Sequence, residues 1–143
     1  MFRFLYSSKS KKMFEGVEAE YLRLQTAIEA FQGKGTKEVT KEQLAAFELF
    51  KWYEVNPGVW IRRRANRFET LLNFDTTMVE GGEFGTHFHG DIIESFEILE
   101  GKVKDLIDNK IYSKGDVVNY LSGQKHHPMA LEYTELNVLF KAV

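Results

Sequence analysis

From Val59 onward the chain consists of short β-prone segments separated by turn residues, and this alternation limits the fold more than any other feature. VWIRRRA, FETLLNFDTTMV, ESFEILEGKVKDLI, KIYSKGDVVNYL and MALEYTELNVLFKAV are rich in β-branched and aromatic residues. Turn signals punctuate them at Glu80-Gly81-Gly82, Glu100-Gly101, Asp108-Asn109, Lys114-Gly115-Asp116 and Ser122-Gly123. A strand with its turn takes about ten residues, the rhythm of an all-β sandwich or barrel. Asp108-Asn109 predicts a tight hairpin between DLI and KIY.

The first third reads differently. Phe14, Val17, Tyr21, Leu24, Ile28 and Phe31 recur at three- and four-residue steps, which aligns them along one stripe of a helix. Gly33 and Gly35 stop that helix. A second is expected to begin at Thr40, where Thr40 and Gln43 have the spacing of a capping box. Leu44, Phe47, Phe50 and Leu49 supply its apolar face, and Asn56-Pro57-Gly58 ends it. The organisation expected is a helical extension over residues 1–58, packed on the barrel or on a partner subunit, and a β-barrel over 59–143. The aromatic stripes suit core contacts better than a cofactor groove. They also leave a homodimer open.

With 143 residues the chain suits one core plus a short appendage. A net charge of −2 gives no electrostatic case for nucleic acid or an anionic membrane as a partner. No cysteine is present, which excludes disulfides, thiolate ligands and a cysteine nucleophile. The opening MFRFLYSSKSKKMF puts its apolar patch ahead of Lys9, Lys11 and Lys12, the reverse of a signal peptide. A cytoplasmic location is expected. Arg62, Arg63, Arg64 and Arg67 cluster near the first strand, but adjacent strand residues face opposite ways, so they suit outer ion pairs better than one anionic ligand.

Chemistry concentrates in GGEFGTHFHGDIIESFEILEG, residues 81–101, and GDVVNYLSGQKHHPMA, residues 115–130. All four histidines, His87, His89, His126 and His127, lie there. On a strand His87 and His89 share a face, so two imidazoles meet one ion at about 2.0–2.1 Å. Glu94 opens the next strand and returns a carboxylate to the same point, with Phe96 and Ile98 continuing its face as an apolar wall. Imidazole with carboxylate suits one divalent transition metal such as Fe, Mn, Ni or Zn. His126 is a fourth candidate. The plain alternative, histidines as ordinary polar residues of a β protein, would suffice for an isolated His-x-His.

The first segment resembles the first motif of the cupin superfamily, with Gly81, His87, His89, Glu94 and Gly101 in register. The second resembles the other cupin motif through Gly115, Gly123 and His126, with Leu121 in place of its proline and Ala130 in place of its asparagine. The resemblance covers roughly Val59 to Phe140. It implies an antiparallel jelly-roll barrel in which His87, His89, Glu94 and His126 ligate one metal in the lumen, with open positions for water, oxygen or substrate. Spacing within the motif selects His126 and turns His127 outward. The implied function is a metal-dependent enzyme, dioxygenase-like or of another kind, acting on a small organic molecule. Glu94 is its candidate catalytic group, with Tyr120 or Tyr112 as proton donors if they line the pocket. The alternative is a non-catalytic metal- or ligand-binding, sensory module.

Overall fold

The computed structural model describes residues 8–32, 35–66 and 71–143, with side chains from residue 18 on. Among the described residues two helices, α1 (Ser8–Gln32) and α2 (Lys41–Ala45), accompany eleven strands. The strands are β1 (Lys37–Glu38), β2 (Trp52–Asn56), β3 (Val59–Arg64), β4 (Leu72–Met78), β5 (His87–Phe88), β6 (Ile92–Glu100), β7 (Lys102–Asp105), β8 (Ile111–Ser113), β9 (Val117–Tyr120), β10 (Pro128–Ala130) and β11 (Thr134–Ala142). The chain is mainly β with antiparallel sheets, as its strand–turn rhythm predicts. Among the described residues no helix is long and apolar enough to cross a membrane.

One antiparallel sheet has the order β2-β3-β4-β11-β6-β9, and a smaller one has the order β10-β7-β8. β1 pairs in parallel with β5, and single bridges His87↔His126 and Glu83↔Met129 join the β5 region to the β10 side. Strand alternation decides which residues meet inside. In β11, Leu136, Val138 and Phe140 point inward opposite Thr76 and Phe74 of β4 and Ile98, Phe96 and Glu94 of β6. Each fully buried aliphatic or aromatic side chain contributes about 1.5–3 kcal/mol. The β7–β8 hairpin carries Asp108-Asn109 at its tip. There Asn109 adopts φ 61° and its N–H donates to the Asp105 carbonyl at 2.7 Å.

Gly101 shows why turn positions require glycine. Its φ is 93°, and a Cβ there would run into the Tyr133 carbonyl and the Thr134 hydroxyl. Gly81, Gly115 and Gly123 also have positive φ, at 81°, 91° and 81°.

The helical front end departs from expectation in three places. Thr40 does form the capping box, its Oγ1 accepting from Gln43 N–H at 3.2 Å while Thr40 N–H donates to Gln43 Oε1 at 2.9 Å. However, the second helix ends at Ala45 and does not run to Asn56. Arg63 Nη1 donates to the Ala45 and Phe47 carbonyls, and Phe50 turns left-handed at φ 64° with its N–H on the Arg63 carbonyl. The chain is thereby diverted into β2, so strand pairing starts ahead of Val59. Leu44 and Phe47 are buried as expected, but Leu49 and Phe50 are exposed.

In α1, Phe31 is buried and Leu24 and Ile28 pack against the core, together with buried Ala27 and Ala30. Tyr21 is 63% exposed, so the stripe outlasts the surface available to cover it. Phe14 and Val17 side chains, and Gly33, Arg67 and the Phe68–Thr70 part of an expected strand, lie outside the described residues.

The arginine cluster is spent on structure. Arg62 pairs with Asp75 at 2.7 Å, Arg64 reaches the same carboxylate at 3.6 Å, and Arg63 holds the end of α2.

Candidate metal centre

β5 delivers His87 and, one residue past its end, His89, both buried, with Phe88 between them on the other side. His126 is brought beside them by a backbone pair with His87, N–H to carbonyl in both directions at 3.1 and 2.9 Å. Gly123 N–H donates to the His89 carbonyl at 2.8 Å and fixes the loop leading to His126. Ligand nitrogens of His87, His89 and His126 all lie within 4.8 Å of one another.

The protonation state of each ring follows from its partner. Nδ1 of His87 lies 2.7 Å from the Gly85 carbonyl, that of His89 2.7 Å from the Val39 carbonyl, and that of His126 3.1 Å from the Gln124 carbonyl. A carbonyl oxygen only accepts, so each Nδ1 carries the proton and each neutral ring has its lone pair on Nε2. That is the tautomer a metal requires, held by the carbonyl contacts that orient ligating imidazoles.

Glu94 enters from β6. Its Oε2 lies 3.0 Å from His126 Nε2, and its Oε1 lies 3.9 Å from His89 Nε2. His89 Nε2, His126 Nε2 and Glu94 Oε2 are buried and have no hydrogen-bond donor. Two acceptors 3.0 Å apart repel unless a cation or a proton sits between them. The three imidazoles could therefore hold a divalent ion, and Glu94 stands beside two of them, His126 and His89, outside the mutually close trio.

Without a metal, a proton takes that place. Burial opposes the imidazolium of His126, but Glu94 and the Gln124 carbonyl favour it more, and its pKa is raised. Burial raises the Glu94 carboxyl, yet His126 and then His89 and His87 pull it down to about 2. Burial, reinforced by the charge of His126 and His89, holds His87 well below the usual range. Burial lowers His89 as well, partly opposed by Glu94.

His127 faces away from the cluster. It is half-buried, with Nδ1 3.0 Å from Thr86 Oγ1 and Nε2 3.3 Å from Glu83 Oε1. Tyr120 lies flat on His126, ring centroids 4.1 Å apart and planes 12° apart, and its hydroxyl donates to Asp105 Oδ2 at 2.7 Å. Burial and then Asp105 push its pKa up, so it holds its proton firmly. Tyr112 sits on β8 near Asp108, outside the cavity wall.

Beside the cluster is a cavity of about 40 Å³ whose wall includes His87, His126 and Glu94. Phe96 lines it as expected and Phe84 joins it, while Ile98 is buried in the core beneath. Phe31 from α1 and Leu44 from α2 also line it, so the front end contributes part of the lumen wall. Sequence reasoning missed that role, although an aromatic in the last turn of α1 was its signal. The Val39, Gly85 and Gln124 carbonyls were missed because backbone acceptors carry no residue-type signature.

The chain carries the cupin fold. Among solved structures it is similar to KdgF from Halomonas sp., with 20% identity, 67% of this chain and 94% of that chain covered, and a TM-score of 0.57. An RmlC-like cupin from Shewanella frigidimarina matches at 17% identity over 68% of this chain and 90% of its own, with a TM-score of 0.56. A predicted oxalate decarboxylase from Thermotoga maritima matches at 19% identity over 59% and 81%, with a TM-score of 0.53. No protein-family model matches the sequence, and no curated protein matches it.

Proposed function

We propose that the chain binds one divalent first-row metal, Fe, Mn, Ni or Zn, through His87, His89, His126 and Glu94, and that it is a metal-dependent enzyme acting on a small organic molecule. The observation that carries this reading is the cluster of three imidazoles whose Nδ1 atoms all meet backbone carbonyls, with His89 Nε2 and His126 Nε2 buried and unpartnered beside the Glu94 carboxylate. When bound, such an ion supplies Lewis acidity or oxygen chemistry of the dioxygenase kind. Glu94, kept ionised by the neighbouring imidazoles, would offer its carboxylate to the ion beside His126, 3.0 Å from Oε2. Phe31, Phe84 and Leu44 exclude water from the wall. A neighbour described as a predicted oxalate decarboxylase supports an enzymatic role for this fold.

One observation favours the second reading, a non-catalytic binding or sensory module. Apart from the proposed ligands, the cavity wall offers no acid or base, its one remaining polar side chain being Thr76. Oxygen uptake by Fe(II)-loaded protein across thiols, diketones and catechols separates the two. Turnover that disappears in His87→Ala supports the enzyme, and metal-loaded protein that binds these compounds without turnover supports the module. The homodimer that the aromatic stripes leave open belongs to the same proposal. Tyr21 and Leu49 line one open groove between α1 and α2, and a second copy covering it would double the mass in sedimentation.

A further inference from the structure

The wall of the lumen also restricts what the site accepts. Apolar side chains make most of it, Phe31, Leu44, Phe74, Phe84, Phe96 and Phe140 among them, and among the described residues Thr76 supplies its lone hydroxyl outside the proposed ligand set. Among the described residues, no lysine or arginine lines it. The arginines on the neighbouring strand are committed elsewhere, Arg62 to Asp75 and Arg63 to the carbonyls of Ala45 and Phe47. The space is about 40 Å³, where one water takes roughly 10–15 Å³ on the same measure.

Charge narrows the choice further. A divalent ion held by three neutral imidazoles and the Glu94 carboxylate leaves a net charge of one positive unit inside an apolar enclosure. A monoanion cancels it. A dianion reverses it and leaves a buried negative charge with no cation in the wall, which is strongly unfavourable. A polyhydroxylated ligand fares no better, because its hydroxyls would lose water and find only Thr76 in exchange.

We infer that the lumen selects a small, monoanionic, metal-chelating molecule with an apolar tail of a few carbons, and discriminates against dicarboxylates and sugar acids. This rests on the four-ligand metal site proposed above. The aromatic wall receives the tail, and the anionic head completes the charge balance at the site.

The test uses Co(II)-loaded full-length protein, whose visible absorption reports a change in ligation without any turnover. Elemental analysis of the same sample first establishes loading. Acetohydroxamate, oxalate and D-glucuronate are then titrated at neutral pH. Saturable binding of acetohydroxamate, with oxalate and glucuronate at least about tenfold weaker, is the expected result. Oxalate or glucuronate binding as tightly as acetohydroxamate overturns the inference while leaving the metal site standing. A sample that takes up no cobalt removes the site and the inference with it. In Leu44→Ala the wall recedes, and hexanohydroxamate gains on acetohydroxamate relative to wild type. An unchanged ratio in folded, metal-loaded Leu44→Ala contradicts the claim that this wall sets the size limit, and the wild-type panel decides the charge selectivity by itself.

Discussion

Tyr120 couples the core to the site in a way two substitutions can separate. Its hydroxyl donates to buried Asp105 at 2.7 Å, and Asp105 uses its other oxygen to hold Ile107 N–H at 2.9 Å and His127 N–H at 3.2 Å. Its ring lies on His126 at 4.1 Å. Tyr120→Phe keeps the ring and deletes the hydroxyl, leaving Asp105 Oδ2 without that donor. Hydrogen bonds to charged groups contribute about 1.5–3 kcal/mol, so a loss of about 2 kcal/mol is expected. For a chain of this size that is a fall in Tm of about 4–8 °C. Metal affinity stays near wild type, because His126 keeps its stacking partner. Tyr120→Ala removes both, costs about 3–5 kcal/mol as a large core truncation, and lowers metal affinity about 10–100-fold as His126 loses its support. Urea unfolding of the metal-free proteins and competition with a chromogenic chelator measure the two effects. Tyr120→Phe unfolding at the wild-type midpoint with an unchanged slope would refute the role given to the hydroxyl. Equal metal affinity in Tyr120→Ala would refute the role given to the ring.

Two further outcomes follow from the same contacts. The metal-free protein is expected to have a stability optimum in pH, bounded on the alkaline side by His126 and on the acid side by Glu94 and by His87 and His89, whose lowered pKa values cost stability as pH falls below 6.5. The raised His126 pKa contributes stability that is complete below 6.5 and is lost as pH rises through the folded value, and the depressed Glu94 pKa contributes stability present above 4.5 that is lost as pH falls toward about 2. Saturating metal should flatten the alkaline limb, where deprotonated His126 binds the ion. Chemical unfolding across pH, with and without Ni(II), shows this, and an alkaline limb unaffected by metal would count against it. Gly101→Ala forces a side chain into φ 93° and against the Tyr133 carbonyl. It is expected to cost more than about 1 kcal/mol, and a wild-type Tm would contradict that.

The β part of the fold and the side chains of the site were legible because their signals are local. His87 and His89 need only strand alternation to share a face, and Glu94 needs only a turn between. The front end was less legible because its structure is set by distant partners. Leu44, Phe47 and Phe50 keep helical spacing, yet Arg63, on β3, takes the carbonyls of Ala45 and Phe47 and its own carbonyl takes Phe50 N–H. Trp52–Asn56 becomes a strand only because β3 is there to pair with it, in a register broken by an irregularity between Glu54 and Asn56. Tyr21 fits the α1 stripe, but burial depends on what the helix meets, and no described residue buries that turn. The most consequential gap was Val39. Its carbonyl fixes the tautomer of His89 from 50 positions away in sequence, through the parallel pairing of β1 with β5, and a backbone oxygen leaves no mark in residue type.

The central claim is that His87, His89, His126 and Glu94 hold a single ion. Equilibrium dialysis of metal-free wild-type protein against Zn(II), Ni(II), Mn(II) and Fe(II), followed by elemental analysis, tests it most directly when His126→Ala is run in parallel. The expected result is one ion per chain for wild type with at least one of these metals, and uptake lost or weakened by about two orders of magnitude in a folded His126→Ala. Wild-type protein that retains no metal, or His126→Ala that binds as tightly as wild type, would contradict it.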